Sequence, residues 1–380
     1  MKRNSRMRAL LITSAAFAAA MCFAAGQAQA NHVACGDMIT TDTTLDSDLT
    51  NCPNNGILIG AGDITLDLNG HTVTGNRELV EPCPKDEFCD VGVLNDGHDG
   101  VTVRDGAVRE FAFGAFVAGA RHNRVLGISS SKNVFFGFII VESARSVVRN
   151  SSGSNNPAPE GDGMGLFGSH HMRILHNSFR RNPLGIHVDD STHNLIKGNR
   201  FSRNFESGIF LTHADRNQVR RNRCLDNRGC IAAAHGRRNV ISGNRISGGV
   251  AGIGLERVRG TLVARNVVVH PDRSGIYLGF RNPPIGGSHN LVRRNRVRGS
   301  RGDGFVVREH DGDSRLRRNV AIGSGDDGFD VESRSSTLTR NRALRNAGLG
   351  IDAVRGVLDG GGNIARHNRG PRQCRHISCG

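Results

Sequence analysis

A short phrase returns along this chain at a nearly constant interval, and that interval limits the fold more than any other feature. The phrase is a polar residue, two or three β-forming or basic residues, then asparagine. It reads Ser146-Val-Val-Arg-Asn150, Asn194-Leu-Ile-Lys-Gly-Asn199, Asn239-Val-Ile-Ser-Gly-Asn244 and Thr337-Leu-Thr-Arg-Asn341, with further copies ending at Asn177, Asn222, Asn266, Asn295, Asn319 and Asn368. Successive terminal asparagines are 27, 22, 23, 22, 22, 29, 24, 22 and 27 residues apart, a base period of 22 with insertions. Between copies stands glycine followed by alternating apolar residues, as in Gly185-Ile-His-Val, Gly208-Ile-Phe-Leu, Gly275-Ile-Tyr-Leu and Gly328-Phe-Asp-Val. Alternation at period two means short strands with one buried face. No segment sustains a 3.6 period, so helical solenoids, whose repeats are also longer, are excluded.

A 22-residue unit with two or three short strands is one coil of a parallel β-helix, each coil stacked on the last at about 4.8 Å. The 50 glycines among 380 residues agree, since each would cost a helix interior roughly 1 kcal/mol relative to alanine. The expected fold is therefore all-β: a single-stranded right-handed parallel β-helix of ten to thirteen coils over residues 57–370. Residues 31–56 are expected to cap it and 371–380 to form a disulfide-stapled tail, because bare coil ends are strand edges open to polymerisation. One asparagine per coil at a shared bend is expected to form a hydrogen-bonded ladder. The Asp-Gly pairs at 162, 303 and 327 read as turn chemistry. Phe135, Phe136 and Phe138 are assigned to core stacking.

Residues 1–30 comprise a basic start (Lys2, Arg3, Arg6, Arg8), an apolar run from Ala9 to Ala25 and the small-x-small site Ala28-Gln29-Ala30. That is the pattern of a secretory signal peptide. The run is short for a bilayer span and no later segment is long enough, so the mature chain is expected to be secreted, periplasmic or on the cell surface, with no membrane span. Cleavage removes Cys22 and leaves eight cysteines in close pairs: Cys35 with Cys52, Cys83 with Cys89, Cys224 with Cys230, and Cys374 with Cys379. Four local disulfides suit an oxidising compartment. Without a C-x-x-C or a histidine at zinc-finger spacing, no metal site is expected, and no cofactor.

Residues 57–370 resemble the right-handed parallel β-helix proteins of the pectate-lyase-like superfamily, which includes the CASH and NosD-type repeats of secreted bacterial proteins. The stretch Ile64-Thr-Leu-Asp-Leu-Asn-Gly-His-Thr-Val73 looks like the first-coil phrase of that superfamily. The closing stretch, from Gly350-Ile-Asp-Ala through Gly360-Gly-Gly-Asn363, looks like its last coil. The resemblance implies the fold firmly and the activity loosely, since members include pectate lyases, polygalacturonases, uronan epimerases, adhesins and scaffold proteins. Copper delivery of the NosD type would need soft or histidine-rich ligands on one face, and the pair His170-His171 alone does not supply them.

Counting from each glycine, the first and third residues face the core and the second and fourth face outward. Successive coils then display His187 and Asp189, Phe210 and Thr212, Ala232 and Ala234, Gly254 and Glu256, Tyr277 and Gly279, Val306 and Arg308, Asp330 and Glu332, then Asp352. Small middle residues between larger ionisable ones describe a shallow trough, with turns at 153–161 and 281–288 as its walls. For lyase or epimerase chemistry, a base must remove a proton beside a neutralised carboxylate. Glu256, Tyr277 and His235 are the candidates to move protons, Arg308 to neutralise charge, and His187, Asp189, Asp330 and Glu332 to bind ligand. Asp326-Asp327, with Asp303 one coil earlier, resembles the polygalacturonase Asp-Asp element. The next coil, however, has Ala347-Gly348-Leu349 where that family shows His-Gly, and no Arg-x-Lys phrase follows. The single Gly323-x-Gly-x-Asp327 lacks the tandem repeats of a calcium-binding roll.

Arginines including Arg220, Arg221, Arg265, Arg293, Arg294, Arg317, Arg318 and Arg340 gather around the asparagine phrase in a chain of net charge +15. Stacked, they make stripes that need anions or abundant water. An acidic polysaccharide or another envelope polyanion is the expected partner. Export and the lack of interleaved Tyr or Trp platforms count against nucleic acid. Two functions remain: a protein that binds, and in the fuller version cleaves or epimerises, an acidic polysaccharide, with Glu256, Tyr277, His235 and Arg308 close together; or a non-catalytic surface or scaffold solenoid, with those side chains dispersed or salt-bridged to neighbouring coils.

Overall fold

The computed structural model describes residues 32–84, 87–157, 161–279 and 286–380. The expected signal peptide, residues 1–30, lies outside these residues, as do parts of the two expected wall turns, 158–160 and 281–285. The described residues form an all-β parallel solenoid. One coil is Leu184–Asp189, Leu195–Lys197 and Arg200–Ser202, after which the chain climbs into Ser207–Thr212. Each strand pairs in parallel with its counterpart one coil on, His187 with Phe210, Ile196 with Val219, Phe201 with Cys224. The three stacks are called sheets A, B and C below, in that order along a coil.

Sheet A holds fifteen strands, more than the ten to thirteen coils expected. Residues assigned above to an amino-terminal cap account for one, since Asp37–Ile39, Thr43–Thr44 and Leu49–Cys52 pair with the three strands of the following coil. Cys374–Arg375 adds a last rung on Ile351–Ala353. Fourteen steps between fifteen strands make a rod about 65 Å long.

The asparagine ladder runs at the bend between sheets B and C. From Asn177 through Asn341, each backbone N–H donates to Oδ1 of the next asparagine at 2.8–3.0 Å, ending on Asn363. Each side-chain amide also donates to a carbonyl of the coil before, as Asn222 does to Ile196 at 3.0 Å. The two end copies of the phrase are out of register. Asn150 is exposed with φ 53°, and Ser151 takes its rung by donating to Asn177. Asn368 belongs to another ladder, and Asn363 is the rung. With these corrections the longer first and last intervals shorten to 26 and 22. There are also two more ladders than expected. One, Asn194–Asn217–Asn239, lies between sheets A and B and supplies the polar start of those three phrases. The other, Asn156–Asn182–Asn204–Asn227, lies at the bend from C into A.

The residue just before many rungs has positive φ, including Arg221, Arg265, Arg294, Arg318 and Arg340 at 53–56°. That conformation turns each arginine outward, which is why arginine tracks the asparagine phrase. Inside, like residues stack: Ile186, Ile209, Ile231, Ile253 and Ile276 are in register, and Phe179 lies on Phe201 with ring centres 5.5 Å apart. Phe138 is buried as expected. Phe135 and Phe136 are only half-buried; Phe136 opens the strand Phe136–Val141 and packs outside, near Phe113 and Phe167. The cysteines bond as Cys35–Cys52, Cys83–Cys89, Cys224–Cys230 and Cys374–Cys379. The first and last staple the ends, and Cys224–Cys230 ties a sheet C strand to the sheet A strand that follows.

Candidate functional site

The outer face of sheet A carries a cleft of about 580 Å³ across the coils from Leu184 to Arg308. Its floor follows one register column, Phe210–Ala232–Gly254–Tyr277–Val306. The small residues make the depth, and Gly254 is the critical one: a Cβ there would collide with Cζ and Oη of Tyr277. The phenol ring therefore lies across the space that any other residue at 254 would fill. Burial, and secondarily the charge of Glu256, push the Tyr277 hydroxyl well above its ordinary pKa. It stays protonated, a hydrogen-bonding group rather than a phenolate base. Glu256 is also raised, by burial, with Arg257 opposing. Arg228 and Arg273 line the edge where sheet C turns into sheet A, and Arg308 lines the carboxy-terminal side.

Of the four residues expected to carry chemistry, Glu256, Tyr277 and Arg308 line this one cleft, whereas His235 does not. His235 sits in the turn after its strand with φ 55°, exposed, its ring stacked on His213 at 5.0 Å and its Nε2 3.1 Å from Arg257 Nη1. The sequence register stops at Ala234 for this coil, so nothing in it carried the turn's direction. Arg308 Nη1 donates to Asp330 Oδ2 at 2.9 Å and to Glu332 Oε1 at 3.0 Å. Expected ligand-binding groups thus hold the expected charge neutraliser. His187 stands between Phe167 and Phe210 with ring centres 5.4 and 5.5 Å away; burial lowers its pKa, against Asp189 and Glu206. Asp189 lies 3.3 Å from His213. Ala234 and Val306, counted as outward, are buried where larger neighbours cover them.

Beyond Arg308 the same face turns acidic. Asp303, Asp326, Asp327, Asp330, Glu332 and Asp352 line a smaller hollow of about 280 Å³. Burial raises Asp330 to about 7, with Asp303 and Glu332 adding to the effect and Arg308 opposing it. Burial likewise raises Asp327 to about 6. The Asp-Gly aspartates also act as turn ties: Asp303 Oδ1 accepts the Asp327 N–H and Asp162 Oδ1 the Leu184 N–H. Sequence register brought out Asp330, Glu332 and Asp352, but not their convergence with Asp303, Asp326 and Asp327, which come from the bend before the strand.

A family model described as periplasmic copper-binding protein (NosD) matches residues 69–232, 154–284 and 228–357, a continuous span over most of the chain. The chain belongs to the NosD family. No curated protein matches it closely enough to count. Among solved structures, a point mutant of the periplasmic alginate epimerase AlgG is 15% identical, with 81% of this chain and 83% of that chain covered at TM-score 0.53. The catalytic domain of a GH87 alpha-1,3-glucanase is 13% identical, with 82% of this chain and 62% of that chain covered at TM-score 0.50. At these identities the likeness is one of fold. The NosD description and the four disulfides together put the protein outside the cytoplasm, and no helix among the described residues is long and apolar enough to cross a membrane.

The donor set does not fit the copper of the family description. Among the described residues the cysteines are consumed in disulfides, and of the methionines there Met164 and Met172 are fully buried in the core and Met38 alone is exposed. Among the described residues the clusters with metal-ligand spacing are Asp189, Asp190 and His213, and Asp303, Asp326 and Asp327. One contains a single imidazole and the other none, whereas copper favours imidazole and soft sulfur donors. His171 and His193 stack ring on ring at 5.1 Å rather than converging their nitrogens.

Proposed function

We propose that this NosD-family protein is an extracytoplasmic β-helix that binds an acidic polysaccharide in the sheet A cleft, with a sugar seated over Tyr277. The carrying observation is the Tyr277 ring lying across Gly254, between cations at Arg228 and Arg273 on one side and Arg308 on another. An aromatic body with a polar tip suits the mixed faces of a pyranose, and guanidinium forks suit a uronate carboxylate. That two proteins of the same fold are named for acting on polysaccharides agrees with this reading. The groups support binding ahead of turnover, because Tyr277 is held protonated, His235 points elsewhere and Arg308 is engaged by Asp330 and Glu332. In cleavage or epimerisation, the base would be Glu256. The Arg308 pairing also favours a second reading, a non-catalytic surface or scaffold solenoid.

The test incubates the mature protein with immobilised acidic and neutral polysaccharides and follows retention, unsaturated uronate ends and reducing ends. Retention on acidic polymers without product is expected. Gly254→Val should weaken it by about tenfold, ~1.4 kcal/mol, by forcing Tyr277 aside. Unsaturated ends that vanish in Glu256→Gln would establish a lyase. Wild-type retention that Gly254→Val leaves unchanged would remove the cleft from the account.

A further inference from the structure

Sheet C carries a second concavity, of about 480 Å³, around the corner from the cleft. Its outer face alternates arginine and serine between coils: Ser178 is in register with Arg200, and Arg180 with Ser202. Serines leave a low floor, and arginines stand as walls. Two more arginines, Arg181 and Arg203, enter from the bend toward sheet A, each with φ 55°. Each immediately precedes a buried ladder rung, Asn182 and Asn204, and the N–H of Asn182 donates to Oδ1 of Asn204 at 3.2 Å. The ladder holds the two arginine Cα atoms one coil apart, about 4.8 Å.

Four guanidinium groups therefore share one hollow, and no carboxylate lines it. Among the described residues, none of the four is engaged in an ion pair or a side-chain hydrogen bond. The row continues with Arg223 opposite Arg200 and Arg245 opposite Arg223. Like charges directly opposite on paired strands are destabilising, so the arrangement costs stability unless anions occupy it. Sheet A does the reverse, with its carboxylates concentrated beyond Arg308.

From this geometry we propose that the Arg180–Arg203 basin is a separate binding site for a linear acidic glycan carrying a carboxylate on each sugar. One carboxylate occupies one or two guanidinium forks, so four call for several anionic groups in a row. A row along the solenoid axis meets a cation at each coil step. The serine hydroxyls supply hydrogen bonds to sugar oxygens, and the lining has no aromatic ring on which a nucleobase would stack. The site is independent of the cleft reading and gives the protein two places to hold polymer, which raises overall retention when one chain reaches both.

The test measures binding of oligouronates of increasing length, with polyphosphate and neutral oligosaccharides as comparison arms, by calorimetry over a series of salt concentrations. Wild-type protein is expected to bind oligouronates with affinity that falls as salt rises. Arg180→Ser with Arg200→Ser should weaken binding at low salt by about tenfold and flatten the salt dependence by roughly one to two units of log–log slope. Circular dichroism and an unfolding midpoint no lower than wild type would show that this variant folds. Gly254→Val removes only what the cleft contributes, so the Arg180→Ser, Arg200→Ser pair should weaken binding and flatten its salt slope in the Gly254→Val background as well, and loss in Gly254→Val alone would speak to the cleft and not to the basin. Binding unchanged in the double variant, binding of polyphosphate but not oligouronate, or salt-insensitive binding would each overturn the proposal.

Discussion

Asn222→Leu is expected to lower the unfolding free energy by about 3–5 kcal/mol, among the largest effects a single side chain in this protein can have. Asn222 Oδ1 accepts the backbone N–H of Asn199 at 2.9 Å and its side-chain amide at 3.1 Å. Asn222 Nδ2 donates to the Ile196 carbonyl at 3.0 Å. Asn199, Ile196 and Asn222 are all buried, so leucine strands donors and an acceptor that water cannot reach, at about 1–3 kcal/mol each. Urea unfolding followed by circular dichroism reads the change. Asn150→Gly is the matched control: Asn150 is exposed at φ 53°, and glycine tolerates that conformation, so stability should move by no more than about 0.5 kcal/mol. Equal losses in the two variants would show that the buried rungs carry no special share of the stability.

The second large effect is a loss of stability as pH rises through neutrality. Asp330 is held at about 7 in the folded protein against an ordinary value of 3.8, and Asp327 at about 6. Between the ordinary and the raised values, the folded state keeps protons that the unfolded state releases. This contribution is full below about pH 4 and is lost as pH climbs through 6 and 7. A fall on the order of 2 kcal/mol between pH 5 and pH 8 is expected, measured as the urea midpoint at each pH. Its cause is burial of carboxylates beside Asp303, Asp326, Glu332 and Asp352, which Arg308 at Asp330 and the Leu349 N–H at Asp327 only partly offset. Asp330→Asn should flatten the profile. A profile that rises with pH, or one that keeps its slope in Asp330→Asn, would contradict the assignment.

Asn194 and Asn217 show how far the repeat can be read. Each is visible as the polar start of its phrase, but a phrase that begins and ends in asparagine looks like one ladder until the bends are seen. The sheets on either side of Asn194–Asn199 then show two ladders, one bend apart. His235 lies outside the cleft lining for a related reason. Strand alternation predicts direction as far as Ala234, and the next residue lies in a left-handed turn where period two no longer applies.

Sequence alone determined the coil period, the all-β solenoid and the buried asparagine chain; it offered the four close cysteine pairs by proximity only, and the structure bonds them that way. In a solenoid every coil contacts mainly its two neighbours, so one set of local interactions recurs and shows itself as periodicity. Tertiary structure alone decided which outward residues share a hollow. Glu256, Tyr277 and Arg308 meet because Gly254 leaves room for a ring, and Asp303 joins Asp330 because a bend folds it back onto the strand face. Arg180 and Arg203 likewise share a basin because serines in the adjoining register leave the space between them open. Those outcomes depend on bend angles, side-chain volumes in adjacent coils and burial, none of which repeats every 22 residues.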